Sequence, residues 1–482
     1  MSNFVLTLEL KTQPYQEDTL NKRLEVGRQI YNSCLGELLK RYETMKQSKE
    51  YQKVAKMTKG KDRNKMFNEL NKKYGLTEYS LHPFMKKMEH HFKGHLGSQT
   101  VQALTSRCFN AFQKMMFHEA EKVNFKRYGE MLSLEGKSNT TGIRFKNNQV
   151  LWFGLEIPVV IKKNDTYAQM ALCNRIKYCR IVRKLIRGKH RFYVQLVLDG
   201  TPPVKINRET GEIKNGISVG RVGIDIGTQT VAIVSKNEVG LIELAPDVGD
   251  IEKEKRVLQR KMDRQRRANN PSKFNTNGTN KKGNMEKWIN SNRYIKTKNE
   301  LAELQRKITA KRKQSHEILA NHILDLGNKV YVETMNFQRL QRRAMNTTIN
   351  EKTGRFNKKK RFGKSLSNKA PSMFLAILDN KLKWHDEELL KINTYKVKAS
   401  QYNHVTDDYE KKSLSERWND FGEFKIQRDL YSAFLIMNVK DCLEEVDRDL
   451  CFSGFDRFKE MHDVEIKRVR SSSSTPISSM GI

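Results

Sequence analysis

Arg221–Ser235 reads RVGIDIGTQTVAIVS, and the rest of the chain is organised around it. Val222–Ile226 is a short apolar run with an acid, Asp225, near its end. Gly227 permits a tight reversal and Val231–Val234 runs back, so the segment predicts a hairpin. A carboxylate at such a strand end is rigidly aimed yet open to solvent, which suits a metal ligand. Ordinary turn chemistry also places an acid before a glycine.

Two functional readings compete for the hairpin. Ile224–Thr228 (IDIGT) resembles the first phosphate loop of actin-like ATPases and sugar kinases. Asp225 equally suits the first carboxylate of a ribonuclease-H-like nuclease, holding Mg²⁺ beside a phosphodiester. The ATPase reading requires a second Asp-x-Gly-Gly loop and a later Gly-Gly motif, and neither follows Asp225. It remains a remote alternative.

Composition points the same way. The 482 residues suggest about three domains with ample chain for a buried core. Lys+Arg is 91 against Asp+Glu 55, a formal net charge of +36. Such an excess fits a polyanionic partner better than a small-molecule kinase. The six cysteines form no Cys-x-x-Cys pair, so neither a zinc ribbon nor a disulfide framework is expected. No signal-peptide pattern and no long apolar run occurs, so we expect a soluble, cytoplasmic protein with no membrane partner.

Along the chain, Phe4–Lys11 alternates apolar and polar residues like a half-buried strand, and a mainly helical, Lys-rich block runs to about His118. His82, His90, His91 and His95 lack the companion ligands of a metal site. Strand periodicity returns at Val150–Leu155, Ile157–Ile161, Ile176–Leu185 and Arg191–Leu198, which predicts an antiparallel barrel or sandwich. The N-terminal strand is expected to join it, making the helical block an insertion.

After the hairpin, Ile251–Arg267 reads as a basic helix and Ala268–Lys287 as a mobile loop. A long amphipathic helix ends at Gly327, and Lys329–Glu333 (KVYVE) is a strand with an acid at its end, as at Asp225. Arg339–Lys364 carries ten basic residues against Glu351 alone, with Phe356 and Phe362 interleaved. That pattern marks Arg339, Arg342, Arg343, Arg355, Lys358, Lys359, Lys360 and Arg361 as candidate nucleic-acid contacts, a solvated basic loop being the alternative. Ser372–Leu390 reads as a helix, Ile392–Val397 as a strand, and Arg428–Val439 as a helix with Asp429 in its first turn, where amides and dipole favour a carboxylate. Ser471–Ser479 is a Ser-rich tail expected to be disordered.

Three acids, Asp225, Glu333 and Asp429, thus stand at predicted element ends. Phosphodiester hydrolysis needs a nucleophilic hydroxide and neutralisation of the attacked phosphate; two Mg²⁺ ions roughly 3.5–4 Å apart in a carboxylate cluster supply both. The strand order also fits a ribonuclease-H core.

Gly223-x-Asp225-x-Gly227, Glu333-x-x-Asn336 and Arg428-Asp429-x-x-x-Ala433 resemble the three split RuvC motifs of the transposon-encoded TnpB proteins and of the compact type V CRISPR effectors. The resemblance implies an α+β multidomain protein with a ribonuclease-H-like (RuvC) core over 216–470. It places a wedge-like β-barrel at 1–14 and 122–215, a helical recognition lobe at 15–121, a helical insertion at 245–325 and a tail at 471–482. It implies an RNA-guided, Mg²⁺-dependent DNA endonuclease that cuts guide-matched DNA beside a short adjacent motif. Its partners would be guide RNA and double- and single-stranded DNA in a prokaryotic cytoplasm, with Asp225, Glu333 and Asp429 as metal-binding catalytic acids. The family's zinc ribbon before the third acid has no cysteines here, so residues 398–427 are expected to be a zinc-free target-binding remnant. Tyr431-Ser432-Ala433 and Leu435 replace the family's Asn-Ala-Ala and later Asn. A catalytically silent, RNA-guided repressor stays open as the alternative.

Overall fold

The computed structural model describes residues 2–207, 209–351, 353–357, 362–413, 416–471 and 480–482, and divides into two compact units, 1–203 and 204–482. The predicted contacts Lys358, Lys359, Lys360 and Arg361 lie outside the described residues. Among the described residues no helix is long and apolar enough to cross a membrane.

In the first unit, β1 (Asn3–Leu10) is followed by helices α1 (Pro14–Gln47), α2 (Lys49–Lys56), α3 (Lys61–Lys73), α4 (His82–His91) and α5 (Ser98–Met116). Strands β2 (Ser133–Glu135), β3 (Arg144–Lys146), β4 (Gln149–Trp152) and β5 (Leu155–Val160) come next. Helix α6 (Thr166–Leu172) and strands β6 (Ile176–Ile186) and β7 (Lys189–Asp199) complete the unit. They form a seven-stranded sheet in the order β2-β6-β7-β1-β5-β4-β3, in which β1 pairs antiparallel with both β5 and β7. Strand β3 returns against β6, so the sheet curls.

Val150–Leu155 is not one strand as expected: the chain reverses at Phe153 and Gly154, both with positive φ. Nor does the helical block have a core of its own. Leu20, Ile30, Leu38 and Phe112 from the helices belong to one apolar cluster with Leu6, Leu134, Ile181 and Leu196 from the sheet. Each face is too small to be buried alone, and the two complete each other.

The second unit is built on strands β8 (Arg221–Ile226), β9 (Thr230–Ser235), β10 (Val239–Glu243), β11 (Lys329–Glu333) and β12 (Leu390–Ile392), in the order β10-β9-β8-β11-β12. β8, β9 and β10 are antiparallel neighbours, whereas β11 runs parallel to both β8 and β12. Numbered within this sheet the order is 3-2-1-4-5. Helices α7 (Val248–Asn269) and α8 (Asn292–Leu326) separate β10 from β11. Helices α9 (Phe337–Leu340), α10 (Gly363–Lys369) and α11 (Pro371–Lys383) lead to β12. After α12 (Thr394–Val397) come two short hairpins, β13 (Tyr402–Asn403) with β14 (Asp408–Tyr409) and β15 (Trp418–Asp420) with β16 (Lys425–Gln427). Helices α13 (Arg428–Met437) and α14 (Arg448–Ser471) follow.

Both faces of this sheet are covered, so its strands read as near-continuous apolar runs. Val222, Ile224, Ile226, Val330 and Val332 pack with Ile323 of α8 and Phe374 and Leu378 of α11. Ala232, Val234, Leu241 and Tyr331 face α13 and α14. The β10 edge is occupied by α14, whose buried Glu465 accepts the Leu241 amide at 2.7 Å.

Three local expectations are corrected. Residues 268–287 form an organised knot rather than a mobile loop. The buried Lys273 donates to Asn284 and to the Glu286 carbonyl, Asn270 exchanges hydrogen bonds with Ile289, and Arg266 lies 3.7 Å from the Trp288 ring centroid. Polar side chains closing on backbone groups give order without apolar periodicity. The helix expected to reach Leu390 stops at Lys383, and Asp386 turns with φ 59°. Ile392–Val397 is the end of β12 and then a helical turn, because the Asn393 side chain caps α12 through the Tyr395 amide. The tail expected to be disordered lies outside the described residues from 472 to 479; before it Ser471 closes α14, and after it Met480 is buried, its carbonyl accepting from Gln427 at 2.9 Å.

Candidate active site

Side chains alternate across a strand, so residues two apart share a face. Val222, Ile224 and Ile226 point to the α8/α11 side, which leaves Gly223 and Asp225 facing α13. On β11, Val330 and Val332 face the α8/α11 side while Tyr331 faces α13, and Glu333 follows Tyr331 by two. β8 and β11 are paired with Val332 opposite Ile224. Asp225 and Glu333 therefore occupy neighbouring positions on adjacent parallel strands, about 4.8 Å apart across the sheet.

The third acid comes from above. A methyl group on Gly223 would lie 2.0 Å from the Ala433 carbonyl oxygen and 2.5 Å from the Met437 amide nitrogen. The α13 backbone thus rests directly on the β8 backbone, a contact only glycine permits. Asp429, Ala433 and Met437 recur every four residues and share a helix face. One helical turn is about 5.4 Å and two strand residues span about 6.6 Å. Running from Ala433 back to Asp429 therefore matches running from Gly223 forward to Asp225. Gly223 is the piece that brings the first and third acids together.

The electrostatics agree. The Asp225 carboxyl is raised well above its ordinary range, first by loss of water and then by the charges of Asp429 and Glu333, with Arg428 and Arg417 opposing. Burial also raises Glu333. Asp429 is flanked by Arg417 and Arg428, each 3.8 Å away, and Gln427 Nε2 donates to its Oδ2 at 3.4 Å. The fully buried Gln427 also caps α13, its Oε1 accepting from the Leu430 amide at 2.8 Å. Arg428 is held in turn by the Ser413 and Glu416 carbonyls at 3.1 and 3.2 Å.

The donor set is carboxylate oxygen only, the chemistry of a hard divalent cation such as Mg²⁺. As placed, no group of three or more His, Cys, Asp or Glu among the described residues is gathered tightly enough to hold a metal ion. Asp429 is turned toward its arginines instead.

The other motif positions have structural work. Asn336 caps α9 by accepting the Arg339 amide at 3.0 Å. Tyr431 and Leu435, where the sequence departs from the family pattern, are buried in the cluster on the α13 side. Arg339, Arg342, Arg343 and Arg355 are exposed, whereas Lys364 of the same basic stretch pairs with Glu252 of α7 at 3.0 Å. Sequence reasoning missed Gln427 as cap, whose one signal was proximity to Asp429, and the role of Arg417 as counter-charge, although the RuvC resemblance had marked Arg417-Trp418 before the third acid.

Residues 398–427 hold their hairpins by aromatic packing. His404 is fully buried against Phe434, Phe452 and Phe455, with Nδ1 2.6 Å from the Tyr431 hydroxyl. The His404 amide also donates to that hydroxyl at 3.1 Å, while the ring Nε2 has no partner. Burial pushes the imidazole down to about 4. Arg448 at the start of α14 binds the His404 carbonyl at 3.0 Å and Asp407 at 3.1 Å, fastening the first hairpin to α14.

No protein-family model matches the sequence, and no curated protein does. Among solved structures the chain is similar to one in the Cas12f1-sgRNA-target DNA complex, at 11% identity and TM-score 0.42, covering 90% of this chain and 98% of that one. It is also similar to one in a CRISPR-Cas12f ternary complex, at 14% identity and TM-score 0.26, covering 88% and 82%. Likeness at these values carries no argument for fold or function, which rest on the geometry above.

Proposed function

We propose that this chain is an RNA-guided DNA endonuclease with a ribonuclease-H-like (RuvC) centre. The observation that carries the reading is the delivery of Asp225, Glu333 and Asp429 to one sheet face by β8, β11 and α13 of a 3-2-1-4-5 sheet. Mutually repelling carboxylates beside a strongly basic chain suit a cation-assisted attack on a nucleic-acid phosphate. Asp225, Glu333 and Asp429 would hold Mg²⁺, and bound cations supply an activated water and neutralise charge on the phosphate. Asp225 is fixed by the strand end and Glu333 by its pairing to β12; Asp429 is presented on a capped helix N-terminus, with Arg417 and Arg428 balancing its charge. In this reading the curled sheet serves as a wedge-like domain, α1–α5 as a recognition lobe and 398–427 as a zinc-free target-binding remnant.

Sequence discrimination would come from base pairing with the guide, the protein reading only a short adjacent motif. The test is a guide swap on two plasmids sharing that motif, with wild type and with Asp225→Ala, Glu333→Ala and Asp429→Ala. Wild type should follow the guide, and each substitution should abolish Mg²⁺-dependent cleavage while guided binding persists. Cleavage of the original plasmid whichever guide is loaded would sink the proposal. Guided binding by wild type without cleavage would make the chain a repressor. Sequencing the RNA that copurifies separates a repeat-derived CRISPR guide from a transposon-end RNA.

A further inference from the structure

A cleft of about 870 Å³ opens beside Glu333 on the parallel edge of the sheet. Its lining includes apolar side chains, Met335 after β11, Phe337 on α9, Leu375 on α11 and Leu389 before β12. At its mouth stands Tyr395, 87% exposed. The hydrogen-bonding groups on the wall are mostly neutral: Gln338, Ser372 and Thr394. Of the charged groups, Asp379 is already paired with Lys383 at 2.6 Å, and Lys391 is the lone cation of the lining.

These walls are wrong for a phosphate, which needs clustered cations or amides, and right for a flat heterocycle with polar edges. An exposed tyrosine beside apolar side chains is the usual stacking platform for a base. The cleft lies on the α11 side of the sheet whereas the acids face α13, so a strand with its phosphate at the acids would reach it past the ends of β11 and β12, where Glu333 is common to both. A base in duplex is stacked and paired and enters such a cleft only by flipping, whereas an unpaired strand offers it freely.

We propose that this cleft receives an unpaired nucleobase of a single strand whose phosphate lies at Asp225, Glu333 and Asp429. The proposal rests on the nuclease reading and adds a base subsite to it. Tyr395 stacks on the base, Leu375 and Leu389 cover its apolar face, and the neutral polar groups meet its edge.

The experiment uses the full chain in Ca²⁺, to withhold turnover, and two short single-stranded DNA probes. Both are abasic throughout except that one carries a single central 2-aminopurine. Backbone contacts are the same for both, so the ratio of their dissociation constants reads the base alone. Wild type should prefer the base-bearing probe by about fivefold or more. Tyr395→Ala, and Ala376→Trp, which fills the cleft from an exposed position on α11, should bring the ratio close to one. A ratio near one in wild type, or a preference undiminished in both variants, overturns the subsite. Guided cleavage by wild type, measured in parallel, keeps the two readings apart. Cutting without a base preference removes the subsite alone, and a variant-sensitive preference without cutting removes the nuclease reading alone.

Discussion

At the scale of single residues, two substitutions separate what holds the site from what it costs. Gly223→Ala forces a methyl group into the main chain of α13, with the Ala433 oxygen 2.0 Å away. Backbone cannot rotate aside, so we expect a loss at the upper end of the 1–3 kcal/mol typical of overpacking, or beyond it, read by chemical denaturation. Surviving protein should cut poorly, because α13 and Asp429 are pushed off β8. Asp225→Asn should do the opposite to stability. The Asp225 carboxyl is raised in the folded chain by burial and by Asp429 and Glu333, so its ionised form opposes folding. A raised carboxyl binds its proton more tightly folded than unfolded. Stability therefore falls as pH climbs from the unfolded value through the folded one, and the cost is fully present only above the folded value. Without divalent metal, Asp225→Asn should melt a few degrees higher than wild type while losing cleavage. An unchanged or lower melting temperature would contradict the crowding of the three acids. That the acids stand at element ends was legible in the sequence, because Asp225 and Glu333 come at the ends of apolar strands and Asp429 at the start of an apolar helix. The reason for Gly223 was not, since a flat contact between two main chains leaves no mark beyond the glycine itself.

At the scale of elements, the hairpins before α13 show where reading stops. The absence of cysteine pairs in residues 398–427 was plain, but the aromatic cluster around His404 was not. Its rings come from α13 and α14 as well as the hairpins, and from Asp441 to Arg470 we assigned no element. Boundaries failed where a polar side chain redirected the backbone, as Asn393 does at α12 and Asn270 in the knot. His404 gives the region a pH signature. Its imidazole titrates near 6.5 unfolded and about 4 folded, so the unfolded state takes up the proton first. Stability is full above the unfolded value and declines as pH drops from about 6.5 to about 4, by on the order of 3 kcal/mol in total. His404→Phe should flatten that decline in denaturation curves at successive pH values. A curve that keeps its slope would mean the proton goes elsewhere.

At the scale of the whole molecule, +36 charges make salt the dominant variable in any binding measurement. Arg339 on α9 and Arg342 and Arg343 just after it are exposed, and we expect them to touch phosphates rather than bases. Replacing all three with Gln should weaken binding alike for every target sequence and reduce the salt slope by about one unit per arginine. Sequence-dependent losses would make them base readers. Chelation should stop cleavage without unfolding the chain, since folding of the hairpins uses aromatic packing. The two-unit division was foreshadowed by the change from antiparallel strand periodicity to the central hairpin. The shared core of sheet and helices in the first unit was not, because periodicity reports which face is apolar and not what will cover it.

The bare contact between β8 and α13 works as a gauge block. Its thickness is set by van der Waals radii of main-chain atoms, with no rotamer to relax and no methylene to add or delete. The spacing of Asp225 and Asp429 is thereby uncoupled from the drift of the surrounding core. That is how Tyr431 and Leu435 can pack the surrounding cluster without moving the acids. In a lineage of such chains, the neighbours of α13 are free to diverge as long as one position on β8 stays empty.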